Sequence, residues 1–95
     1  MASIDSAAAT YLADELERLM ALPLMSPSDL ERWNEERFSV QRTLTQRFPS
    51  LEPEHEVWHY FDDSDIRFRE SDYRDRQHRL MSEYVQRLRK CTRRY

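Results

Sequence analysis

The sequence predicts an all-α protein, a small three- to four-helix bundle. Three observations carry this reading. Glycine is absent from the 95 residues, although average usage of about 7% would supply about six, and primed hairpin turns depend on the positive φ that glycine adopts at least cost. Apolar residues recur at three- and four-residue steps along three long stretches. Pro23 and Pro49 fall where two of those stretches end.

The first helix is expected over residues 6–21. Asp5 is placed to cap it, Ala7, Ala8, Ala9 and Ala13 favour helix, and Ala8, Leu12, Leu16, Leu19 and Met20 make one apolar stripe. The second is expected over 29–47, where Ser28 and Glu31 read as a capping box with Asp29 in the first turn. Leu30, Trp33, Val40, Leu44 and Phe48 share a face of this helix. Phe38 lies off that face, which calls for either a wide buried surface or a partner.

A short helix is expected over 53–62, with Pro53, Glu54 and Glu56 suited to its N-terminus and "DDSDIRFRES" as a connector beyond it. The β-favouring run "VWHYF" does not divide into apolar and polar faces at alternate positions, so a strand fits it less well. The last helix is expected over 73–92. Asp72 caps it in this reading, and Met81, Tyr84, Leu88, Cys91 and Tyr95 form a stripe that Leu80 and Val85 widen.

Length and composition set the outer limits. Ninety-five residues suit one domain over residues 1–95 with one thin core. A mean hydropathy of −0.95 points to a heavily charged surface, while 39% hydrophobic and 12% aromatic residues are too many for a solvated tail. Without glycine, the phosphate-cradling loops of kinases, GTPases and dinucleotide-binding folds have no material. Cys91 is the single cysteine, so no intrachain disulfide forms, and its apolar register suits a buried or half-buried thiol. No basic leader precedes an uninterrupted apolar run, and no segment approaches about 20 apolar residues. The expected location is the cytoplasm, with no membrane association and no cofactor.

Residues 55–59 read His-Glu-Val-Trp-His, which resembles the H-E-x-x-H signature of zinc metalloproteases over those five residues alone. That resemblance implies His55 and His59 as ligands and Glu56 as general base, with a third ligand to be sought among Asp62, His78 and Glu83. The surroundings oppose it. Pro53 and Glu54 place His55 in the first helical turn, and on a helical wheel His55 and His59 point away from Val57, Phe61 and Phe68. Both histidines are therefore expected to face water, and the match is read as coincidental. His55, His59 and Asp62 remain a weaker surface metal triad at i, i+4 and i+7. "DDSDIRF" is no calcium loop, because Phe68 stands where glycine is needed.

Charge is unevenly placed. Residues 1–66 carry a net −9 and residues 67–95 a net +6. Either the last helix grips nucleic acid through "RLRKCTRRY" and arginines 67, 69, 74, 76 and 79, or it pairs with the acidic helices or with an acidic partner. An isoelectric point near 5.6 disfavours a polyanion. Fourteen of fifteen basic residues are arginine, which suits bidentate pairing with carboxylates.

No nucleophile–base set is legible, so no enzyme is expected. The leading expectation is a non-enzymatic interaction or regulatory protein that docks a protein partner or a second copy of itself. Trp58, Tyr60, Phe61, Phe68, Arg87, Arg89 and Arg93 are the expected contact residues, with Trp58 and Tyr60 outside the Val57/Phe61 stripe and hence exposed. The alternatives are nucleic-acid binding through the arginine-rich last helix, and zinc chemistry at His55 and His59.

Overall fold

The computed structural model describes residues 6–92, with side chains through Lys90. Five helices follow one another: α1 (Ser6–Ala21), α2 (Pro27–Arg47), α3 (His55–Asp62), α4 (Ser64–Arg69) and α5 (Ser71–Thr92). Among the described residues there is no strand, so the all-α bundle stands. The expected cap Asp5 and the stripe member Tyr95 lie outside the described residues, as does the side chain of Cys91.

Helix α1 packs chiefly against α5, with α2 beside it. Ala8, Ala9, Leu12, Ala13, Leu16 and Leu19 are all buried, and the small side chains at 9 and 13 let the α5 backbone approach closely. From α5 come Met81, Tyr84, Val85 and Leu88. Trp33, Val40 and Leu44 of α2 and Val57, Tyr60 and Phe61 of α3 complete the core, and Phe48 and Leu51 pack against it. Leu80 departs from expectation: at 41% exposed it sits on the rim of the α5 stripe. The inward position one turn earlier belongs to Gln77, which is buried.

The start of α2 differs by two residues from the expected Ser28/Glu31 box. Ser26 is the N-cap, in extended backbone, and its Oγ accepts the Asp29 N–H at 3.2 Å. Asp29 reciprocates by accepting the Met25 N–H at 2.9 Å. Pro27 explains the shift, because its fixed φ and missing N–H suit the first helical position and leave the residue before it as the cap.

The expected connector after α3 is itself helical. The chain breaks for one residue at Asp63, whose N–H still donates to His59 O, and whose carbonyl already accepts from Arg67 N–H at 3.0 Å. This break rotates α4 relative to α3, so Phe68 does not continue the Val57/Phe61 stripe, and Arg67 turns inward instead. Glu70 then supplies an extended residue before α5, which begins at Ser71; Asp72 stands in its first turn and is not its cap.

Candidate functional site

The residues singled out in the sequence separate into three environments. On the outer face of α3, His55 and His59 are exposed, as expected, and His55 is the first helical residue. Their Nε2 atoms are 2.9 Å apart with the rings perpendicular at 4.4 Å. The proposed third members of the set go elsewhere. Asp62 accepts from Arg37 Nη1 at 3.3 Å, and His78 lies half-buried on α5 beside the Tyr60 ring. Among the described residues no group of three or more His, Cys, Asp or Glu is placed to hold a metal ion.

The aromatic segment is divided between surface and core. Trp58 is 39% exposed, with its edge on the buried Phe61 ring at 5.8 Å and 75°. Tyr60, expected outside, is completely buried, as is Phe61. The wheel missed Tyr60 because α3 is covered from two sides, by α5 and by α4, which widens its buried face beyond one stripe. Phe68 is half-buried. Phe38, off the α2 stripe, is exposed beneath the Arg37 guanidinium, 4.1 Å from its ring centre.

The arginines of α5 are largely paired within the molecule. Arg89 Nη1 reaches Asp14 at 2.8 Å and its Nη2 bonds Glu17, both on α1. Arg87 lies 3.4 Å from Glu54 at the start of α3. The acidic first half and basic second half thus meet across the α1–α5 contact. Arg93 lies outside the described residues.

Arg67 forms the third environment, and nothing in the sequence marked it apart from the other arginines. Only 1% of it is exposed. The guanidinium carbon lies over the Tyr60 ring at 4.0 Å and the Trp33 ring at 4.5 Å, an arrangement in which each desolvated cation–π contact contributes about 2 kcal/mol. Its Nη1 donates to the Tyr60 carbonyl at 2.5 Å and to Gln77 Oε1 at 2.6 Å. Gln77 relays the charge outward, since its Nε2 donates to Asp63 Oδ2 at 3.3 Å and to the Tyr73 hydroxyl at 3.2 Å. Tyr73 in turn donates to Asp63 at 2.5 Å. That bond, then burial, holds the Tyr73 pKa above the ordinary tyrosine value.

No carboxylate touches Arg67 directly. Its Nε and Nη2 have no protein partner, and burial pulls its pKa down from the usual arginine value, although a guanidinium remains protonated near neutrality. On the same aromatic cluster the Trp33 indole N–H donates to Leu19 O at 3.0 Å, while the Tyr60 hydroxyl is buried without a partner. Burial pushes the Tyr60 pKa up to about 12.

The one legible hint of this cluster was Gln77, four residues before Met81 on the inward stripe of α5. A cation buried from the neighbouring α4 had no periodic signal. No protein-family model, curated protein or solved structure matches this chain.

Proposed function

We propose that the protein is a small non-enzymatic helical interaction protein of the cytoplasm that docks a protein partner through the outer face of α3. The observation that carries this is Trp58. It is a large aromatic held at the surface on an eight-residue helix, and its ring rests edge-on against Phe61 in the core. A tryptophan fixed in this way contributes contact area with little further loss of side-chain freedom, the property that makes tryptophan a frequent anchor of interfaces. Glu54 at the start of the same helix, paired with Arg87 of α5, supplies a polar rim. Also in support, no helix among the described residues is long and apolar enough to cross a membrane.

Nucleic-acid binding through α5 has less behind it. Arg67 is buried, and Arg87 and Arg89 already face carboxylates of this chain. A phosphate backbone would have to displace those contacts before it gained its own.

The test compares the tagged full chain with its Trp58→Ala variant as baits in extracts of the native host, with circular dichroism showing that both are equally helical. Partner proteins held by the parent and lost by the variant support the reading. Identical captured sets, or nucleic acid as the only captured species, reject it. Light scattering of the pure protein separates self-association from a heteromeric partner.

A further inference from the structure

His55 and His59 stand one turn apart on the water-facing side of α3, and both are exposed. Val57, Tyr60 and Phe61 fix the same helix in the core, so the spacing is held by a packed element. The two Nε2 atoms lie 2.9 Å apart. That separation permits an N–H···N hydrogen bond between the rings, and it also matches one edge of a metal's ligand set. Two nitrogens, each about 2.0–2.1 Å from one ion, are roughly 2.8–3.0 Å apart at a right angle and roughly 3.3–3.4 Å apart at the tetrahedral angle. The observed distance is that of the right-angled edge. Asp63 backs the pair: its Oδ2 lies 4.0 Å from His59 Nδ1, and Tyr73 and Gln77 hold that same oxygen. A carboxylate on that side favours the proton on Nδ1 and leaves the Nε2 lone pair for a metal.

We propose that His55 and His59 bind one divalent late first-row transition ion through their Nε2 atoms, Ni²⁺ or Cu²⁺ in preference to Zn²⁺. Imidazole nitrogen suits all three ions, but Ni²⁺ and Cu²⁺ take ligands at right angles, whereas Zn²⁺ in protein sites is mostly tetrahedral. Among the described residues no group of three or more His, Cys, Asp or Glu is placed to hold an ion, and water supplies the remaining ligands in the proposed complex. The result is an open two-histidine surface site, distinct from a four-ligand structural zinc centre and from a three-ligand hydrolase. Its surroundings attract a cation. Residues 52–63 carry five carboxylates and no lysine or arginine, and Arg87 and Arg37 reach two of them, Glu54 and Asp62. In the neutral pair, the ring that donates its Nε2 proton to the other need only carry that proton on Nδ1 instead, through exchange with water, so the proton count is unchanged. The site goes beyond the docking reading and does not require Trp58.

The experiment titrates the untagged, ¹⁵N-labelled full chain with Ni²⁺ and, in parallel, with Zn²⁺ and Mg²⁺. Ni²⁺ is the probe because, unlike Cu²⁺, it does not oxidise a thiol such as that of Cys91. The expected result is saturable Ni²⁺ binding below about 1 mM, with spectral changes centred on residues 55–59. His55→Asn and His59→Asn should each weaken binding at least about tenfold, because the second nitrogen no longer binds intramolecularly. Both side chains are exposed, so circular dichroism should show unchanged helicity, and if one variant does not fold the other carries the test. Zn²⁺ should bind more weakly than Ni²⁺, and Mg²⁺, which takes oxygen ligands, should not displace it. Spectral changes centred elsewhere, unchanged affinity in the histidine variants, displacement by Mg²⁺, tighter binding of Zn²⁺ than of Ni²⁺, or no saturation by about 1 mM Ni²⁺ overturns the proposal.

Discussion

Replacing Tyr60 by phenylalanine should stabilise this protein, and by an amount that grows with pH. The Tyr60 hydroxyl is buried and makes no hydrogen bond, because the nearby Trp33 N–H is given to Leu19 O. An unsatisfied buried hydroxyl costs about 1–3 kcal/mol, and the phenyl ring of Tyr60→Phe keeps the contacts to Trp33 and Arg67. Allowing for a small loss of packing around the deleted oxygen, the gain near neutral pH is about 1 kcal/mol, equivalent to roughly 4–8 °C in Tm for a chain of this length.

The alkaline branch has an independent sign. The folded-state pKa of Tyr60 is about 12, against an ordinary 10.0. Below pH 10 both states hold the proton, and nothing changes. Between pH 10 and 12 the unfolded chain releases a proton that the folded chain retains, so stability falls by about 1.4 kcal/mol per pH unit. Phenylalanine removes that loss, and at pH 11 its advantage should reach about 2.4 kcal/mol. Other tyrosines titrate alike in parent and variant and cancel in the difference. Urea unfolding of both proteins at pH 7 and pH 11, followed by circular dichroism, measures both values. A variant that is less stable by 1 kcal/mol or more at pH 7, or an advantage independent of pH, would refute the reasoning and show the hydroxyl to be bonded in the folded state.

Trp33→Phe should cost about 2–3 kcal/mol in the same assay, through the lost indole bond and the smaller ring, although Leu19 O keeps the Leu22 N–H. Ser26→Ala removes the α2 cap and should cost about 1 kcal/mol, visible as a lower urea midpoint at unchanged m-value. For Arg89→Ala, whose partners Asp14 and Glu17 are more than half exposed, the loss should stay below about 1 kcal/mol and shrink further in high salt. Trp58→Ala should cost about 1–3 kcal/mol, since the larger part of the side chain is covered and its ring packs on Phe61; a loss above about 4 kcal/mol would make it a core residue instead of an anchor.

The sequence by itself determined the helical class and the three long helices, because the signals involved are local. Leu12, Leu16 and Leu19 show their period within one helix, and proline ends or starts a helix through its own ring. Both histidines of the H-E-x-x-H match were correctly placed in water on the same basis, from the proline and the wheel. The α2 cap is local as well: Ser26 takes it in place of Ser28 because Pro27 claims the first turn, so that difference lay in the sequence and needed no second element. What tertiary structure decided is what depends on a second element. Tyr60 went inside because two helices cover α3, where a wheel drawn for one face left it out. Arg67 became the most unusual residue of the chain only because the break at Asp63 turned α4, and because Trp33, Tyr60 and Gln77, drawn from three other helices, meet around its guanidinium. A side chain's charge is written in the sequence. Whether that charge ends in water, in an ion pair or against two aromatic rings is settled by the partners that folding brings to it.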